Sequence, residues 1–305
     1  MALRVTQGMM HAQLMSNLNT NLNRMATQQD QISTGRKINK ASDDPVGITY
    51  GLRYRSDLSS NTQYQDNVAS AQSWLDFNDS QLNQATAVMQ RLTELTTQGS
   101  TGTNTTNSLD AINKEIAELK NQMLDIANSS FNGKYVFAGQ RFDQKPYDTN
   151  AAGFDAKAVT ADGAAVTYAI SESITLNVNL QAESVFGAAD AAGATDNVFS
   201  IFDRLNTALS TTNYSAVGAE LDNIKSRMNK IVSARAENGA RTNRAELMDN
   251  RLKDLNVSLT SLQSKTEDAD VEKLFLDSTV SQNVYQASLS VGAKIIMPSL
   301  VSFLN

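Results

Sequence analysis

The chain has 305 residues, of which 41% are apolar, 6% aromatic and only 19% charged. Lysine and arginine number 26 against 32 aspartates and glutamates, a net charge of −6, which argues against a phosphate-tracking, nucleic-acid-binding surface. The absence of cysteine excludes disulfides, thiolate metal sites and a cysteine nucleophile, and a single histidine, His11, excludes any metal site needing two imidazoles. No apolar run approaches the roughly 18 residues of a membrane span, so no membrane insertion is expected. The start, Met1 to Gly8, lacks the apolar core of a secretory signal. The expectation is a cytoplasmic protein or one exported by another route.

Leu14, Leu18, Leu22, Met25 and Ile32 recur at helical spacing, with no Gly or Pro from Met9 to Thr34. This stripe is too narrow for the core helix of a monomer. Gly35 ends it. The charged segment from Arg36 to Gly47 reads as a linker in which a helix can restart at Pro45, with the pair Asp43–Asp44 as its cap. From Thr62 to Thr97 the residues Val68, Ala71, Leu75, Asn78, Leu82, Ala85, Met89, Leu92 and Thr96 alternate by three and four. That is a coiled-coil-like seam on a helix about 54 Å long. Gly99–Ser108 is a turn, and Leu109, Ile112, Ile116, Leu119, Met123 and Ile126 form a second seam, so the pair predicts an antiparallel helical hairpin.

The pattern changes at Phe131. Residues 133–139, an apolar run between glycines, read as a strand. Alternation at Val166, Tyr168 and Ile170, then at Ile174, Leu176, Val178 and Leu180, predicts short strands and hairpins, with a turn at Asp162-Gly163 and surface loops over 148–165 and 187–197. Helical periodicity resumes near Asn197. Val217, Leu221, Ile224, Met228 and Ile231 keep the three-four spacing, which thins through Arg235, Asn238 and Thr242 and returns at Met248, Leu252, Leu255, Leu259 and Leu262. Unbroken, residues 216–265 make a helix of about 75 Å, and a polar seam position within it fixes register or faces another partner. After Glu267-Asp268-Ala269-Asp270, read as a solvated helix start, comes a last helix. It carries one stripe of Val280, Val284, Ala287, Val291 and Ile295, and a second of Tyr285, Leu289, Gly292 and Ile296. Pro298 is expected to end it. The fold class is mainly α: long coiled-coil-like helices from both chain ends packed as a rod, with a small inserted β-rich domain.

Little here asks to be an active site. A Ser–His–Asp triad has only His11 to draw on. Gly99-Ser100-Thr101-Gly102 lacks the lysine of a phosphate loop. The acidic run at 267–270 lacks the glycine and terminal glutamate of a calcium loop. Neither a cofactor nor a metal is expected, and the ten methionines read as adaptable seam filling. Amphipathic stripes at both ends mark a surface for other chains, with helices that become ordered on assembly.

The run from Gln31 to Gly47, QISTGRKINKASDDPVG, resembles the N-terminal signature of bacterial flagellins and their junction proteins. Glu237-Asn238-Gly239-Ala240-Arg241-Thr242-Asn243-Arg244 resembles the Leu-Gly-Ala-x-x-Asn-Arg run of the same superfamily, with Asn238 where Leu is usual. Phe131–Gly139 and the ending Pro298–Leu304 point within it to the third hook-associated protein group, the hook–filament junction. Flagellin itself, the alternative, lacks Gly-Lys-Tyr-Val-Phe-Ala-Gly. The resemblance implies a non-enzymatic, extracellular flagellar subunit exported through the flagellar type III channel. The implied partners are the first hook-associated protein on the hook side, flagellin on the filament side, neighbouring copies, and an FlgN-type chaperone at the C-terminal helices. It further implies an inner-tube domain of 1–43 with 271–305, a rod domain of 44–135 with 198–270, and an outer β-rich domain of 136–197. The assembly interface is then expected at Leu14, Leu18, Leu22, Met25, Ile32, Val280, Val284, Ala287, Val291 and Ile295. An enzyme carried by the insert, as some flagellins have, would need a His-Glu-x-x-His zinc helix, and 136–197 contain no histidine.

Overall fold

The computed structural model describes residues 7–150 and 153–296, with side chains at 8–150 and 153–293. Helices dominate: α1 (Gln7–Thr34), α2 (Pro45–Gly99), α3 (Thr106–Ala127), α4 (Ala182–Phe186), α5 (Val198–Ser210), α6 (Tyr214–Glu267) and α7 (Val271–Ile296). The β content among the described residues is two hairpins, β1 (Ser130–Phe131) with β2 (Lys134–Tyr135) and β3 (Thr167–Ser171) with β4 (Ile174–Asn177). The fold is mainly α with small β insertions, as the periodicity implies. Two units divide the chain, 61–254 and the combination of 1–60 with 255–305.

In the unit 61–254, the seam read from α2 is the core. Val68, Ala71, Leu75, Leu82, Ala85, Met89 and Leu92 are fully buried or nearly so, with Leu109, Ile112, Ile116 and Met123 of α3 and Val217, Ile224 and Ile231 of α6. Thr105 caps α3 by accepting from Ser108 N, and Asn197 caps α5 by accepting from Phe199 N and Ser200 N. A cluster of Phe137, Tyr147, Phe186 and Phe199, with ring centroids 5.1 to 6.1 Å apart, fills the space between the helices and the loops. Gly187 is required where it stands, because at φ 102° a Cβ would meet Asn197 Cα at 2.7 Å.

Two readings of local structure need correction. Only Lys134–Tyr135 of the run 133–139 is a strand, paired across the turn Asn132-Gly133, whose φ values of 50° and 76° suit a tight hairpin. Val136, Phe137 and Ala138 leave the strand and are buried without alternation in the core. A short helix, α4, lies where no helical period is visible. The hairpin β3–β4 follows the alternation, in the register Tyr168↔Leu176, with Ile170 and Leu176 buried and an irregularity between Ala169 and Ser171. The long helix expected over 216–265 is unbroken.

Candidate assembly interface

The site is built within the unit formed by 1–60 and 255–305. In α1 the covered positions are Leu14, Leu18, Asn21, Met25, Gln28 and Ile32, in steps of four and three; in α7 they are Leu274, Ser278, Ser281, Tyr285, Ser288 and Gly292 in the same steps. These seams face each other. Leu14 lies against Gly292, and Arg24, Gln28 and Gln31 share a cleft with Asp277 and Ser281, so α1 and α7 run antiparallel. A Cβ on Gly292 would sit 2.7 Å from Leu14 Cδ2, so Leu14 packs directly on the glycine and would have to shift for a larger residue. Leu14 thus meets a glycine on α7, whose seam carries three serines as well as Leu274 and Tyr285.

Leu14, Leu18, Met25 and Ile32 accordingly pack half-buried on their own chain's α7, whereas Leu22 falls off the seam and is exposed. The α7 stripe behaves differently. Val280, Val284 and Val291 are 50%, 45% and 52% exposed, and Ala287 is exposed beside them. They lie about a third of a turn around the helix from the seam on the 3.6-residue period. Leu276 extends this ridge, and Val271, Phe275 and Leu289 form a second exposed flank on the other side of the seam. The side chain of Ile295, and the whole tail from Met297, lie outside the described residues.

The segment between α1 and α2 shows why the signature at 31–47 has its composition. Gln31 Nε2 donates to Lys37 O (2.8 Å), and Thr34 Oγ1 donates to Asn39 Oδ1 (2.8 Å). Asp43 Oδ2 accepts from Lys40 N and Asn39 N; these backbone hydrogen bonds, with the Lys40 charge, hold its carboxyl below the usual range. Asp44 Oδ1 accepts from Val46 N and Gly47 N, so it is Asp44, followed by Pro45, that caps α2. The acidic run at 267–270 is divided. Asp270 Oδ1 caps α7 through Lys273 N, as a helix start should. Glu267, expected in solvent, is instead buried: Arg55 Nη2 and Nε reach its Oε2 at 2.6 and 3.2 Å, and its Oε1 lies against Gly51. There the chain also closes a backbone link, Lys37 N to Glu267 O (2.6 Å) and Ala269 N to Gly35 O (3.0 Å). A glutamate 212 residues from its arginine leaves no periodic trace in the sequence.

No group of three or more metal-ligating side chains occurs among the described residues. No helix among them is long and apolar enough to cross a membrane. His11 is exposed on α1.

The model of the bacterial flagellin N-terminal helical region matches residues 5–141, the stretch that contains α1, the capped joint, α2 and α3. That stretch, just under half of the chain, is similar to the bacterial flagellins. The chain is 23% identical to the flagellar hook-associated protein 3 of Salmonella typhimurium over 94% of this chain and 95% of that one. It is also 25% identical to a flagellin of Bacillus subtilis over 96% of both chains. Its fold is that of a putative flagellar hook-associated protein from Vibrio parahaemolyticus, at a TM-score of 0.66 and 20% identity over 74% of this chain and all of the other. The likeness runs nearly the full length of these two curated relatives.

Proposed function

We propose that this chain is a member of the flagellin superfamily and forms the junction layer between hook and filament, assembling through the exposed ridges of α7. The observation that carries the reading is that α7 has two jobs. Its serine-glycine seam is used by α1 of the same chain, and Val280, Val284, Ala287 and Val291 remain uncovered on another face. An apolar ridge beside an already satisfied seam suits a neighbouring copy. At about 25 cal/mol per Å² of apolar area, a few hundred Å² covered per neighbour contributes several kcal/mol before ordering costs. In this reading 1–43 and 271–305 build the tube, 44–135 and 198–270 the rod, and 136–197 the outer domain. The first hook-associated protein and flagellin are the neighbours on either side. Export runs through the flagellar type III channel, an FlgN-type chaperone covers the C-terminal helices beforehand, and the chain has no enzymatic role.

The second reading, flagellin itself, is favoured by the end-to-end similarity to the Bacillus subtilis protein. Electron microscopy of the purified full-length chain in filament-promoting salt separates the two. A junction protein stays short or monomeric alone and incorporates when flagellin and the first hook-associated protein are added. Long filaments from the chain alone would establish the flagellin reading instead.

A further inference from the structure

Midway along the unit 61–254 the apolar seam between α2 and α6 is interrupted by a polar layer. Asn238 of α6, almost fully buried, donates from Nδ2 to the Leu75 carbonyl of α2 at 2.8 Å. One turn away, Arg235 Nε and Nη2 fork onto Asp79 at 2.8 and 3.0 Å, and its Nη1 reaches Asn83 Oδ1 at 3.0 Å. Fully buried Asn78 donates to the Val178 carbonyl at 2.9 Å, and Arg241 Nη1 donates to the next carbonyl, Asn179 O, at 2.7 Å. Two helices and the segment after β4 therefore meet in one layer. Fourteen residues further on, a reciprocal bond runs from Asn61 Nδ2 of α2 to the Leu252 carbonyl of α6 at 3.0 Å.

Stability does not account for this layer. The Oδ1 atoms of Asn61, Asn78 and Asn238 are buried without partners, and asparagine is a weak helix former. An apolar side chain of similar size would remove the unpaired acceptor and keep the packing. What apolar residues do poorly is choose an alignment. Val68, Ala71, Leu75, Leu82, Ala85, Met89 and Leu92 repeat in steps of three and four, so sliding α6 by a turn or a heptad sets apolar on apolar again. The polar layer does not survive such a slide. Arg235 leaves Asp79, and Asn78 and Arg241 separate by at least one turn, about 5 Å, so they no longer meet adjacent carbonyls.

We propose that Asn78, Arg235, Asn238 and Arg241 form a register lock that fixes one axial alignment of α2 against α6 and seats the 178–179 segment on both. Buried polar residues inside an apolar seam, here Asn78 and Asn238, act this way at a cost in stability, and the half-exposed Arg235–Asp79 pair flanks them. The lock operates whichever place in the flagellum the chain takes.

The test uses the full chain. Because it contains no cysteine, Asp66→Cys and Lys225→Cys, on exposed positions of α2 and α6, direct a nitroxide pair whose separation reports axial alignment by pulsed electron resonance. The parent gives one narrow distance population. In N78L/R235M/N238L the protein still unfolds near or above the parent's temperature, but the distribution broadens or gains a population displaced by at least about 5 Å, one helical turn. A single unchanged population would overturn the lock, whatever the unfolding temperature. Should the triple variant not fold, R235M and N238L are measured singly: broadening in either supports the lock, and an unchanged distribution in both overturns it.

Discussion

Helix α6 carries the same kind of apolar stripe through two regions, with opposite outcomes. Between 214 and 254 the residues Val217, Ile224, Ile231, Ala234, Ala245 and Leu252 are buried, while beyond it the stripe residues Leu255 and Leu262 are exposed and Leu259 is half-buried. The whole molecule repeats the contrast. The unit 61–254 holds a continuous apolar core with four clustered aromatic rings, whereas α1 and α7 meet through one narrow seam whose α7 side is mostly serine and glycine. Periodicity therefore reports that a helix has a face, and the surrounding chain decides whether that face is a core or an interface. The first region buries its stripe within the chain; the second leaves part of its own exposed.

The sharpest way to break that contrast is to damage the core and see whether the terminal pair notices. Phe199 is one of its rings, fully buried between Tyr147 and Phe186. Phe199→Ala is expected to destabilise the 61–254 unit by about 3–5 kcal/mol, measured by urea unfolding followed through Trp74, the only tryptophan and a buried one. A loss under about 1 kcal/mol would mean the aromatic cluster is not the centre of the core.

Asp190 sharpens the contrast through pH. Burial alone would raise its carboxyl, but hydrogen bonds from Thr195 N (2.8 Å), Ala194 N (3.1 Å) and Thr195 Oγ1 (2.9 Å) outweigh burial and hold it well below the usual carboxylate range. A depressed carboxyl stabilises the fold at pH values above its unfolded value of about 3.9, and that stability is lost as pH falls towards the folded value. Asp190→Asn should lower stability at neutral pH by roughly 1–3 kcal/mol and flatten the decline between about pH 5 and pH 3. Parallel pH profiles of parent and variant would remove Asp190 as a source of acid sensitivity.

The terminal pair has its own weak point at Gly292. Replacing it with isoleucine forces Leu14 off the seam, at a cost of about 1–3 kcal/mol for overpacking. Hydrogen exchange should rise in α1 and α7 while the Trp74 transition stays put. Exchange unchanged in both helices would mean the α1–α7 contact is not what orders them.

Much of this was legible before any coordinates. The seams of α2 and α3, the turn at 99–108, the hairpin 166–180 and the uninterrupted α6 follow from spacing alone. The serine part of the α7 seam is not, because Ser278, Ser281 and Ser288 are not apolar; the second stripe of Tyr285, Leu289, Gly292 and Ile296 holds the seam positions Tyr285 and Gly292 but also Leu289, which is exposed. Of the candidate interface, α1 contributes Leu14, Leu18, Met25 and Ile32 to a seam inside the chain, whereas Val280, Val284, Ala287 and Val291 stand exposed. Asn238, the departure from the leucine of related runs, is the clearest sequence signal of the polar layer, but its acceptor is a backbone carbonyl, which no residue type announces. Glu267 looks solvated in the sequence because its partner, Arg55, comes from the other end of the chain.

The smallest expected effect on stability tests the ridge itself. Val284, 45% exposed, touches solvent on a face that α1 does not use. Val284→Ser removes apolar area from the ridge and leaves the seam partners Ser281, Tyr285 and Ser288 in place. The monomer should change by no more than about 0.5 kcal/mol, with both α7 exchange and the Trp74 transition unmoved. Incorporation between hook-associated protein and flagellin should fall sharply, because the loss recurs at every neighbour contact around the layer. A monomer of parental stability that still incorporates at the parental level would shift assembly to the Phe275–Leu289 flank. A destabilised monomer would mean the ridge is already covered within the chain, and the division between a unit that buries its stripe and one that leaves part of its own exposed would fall.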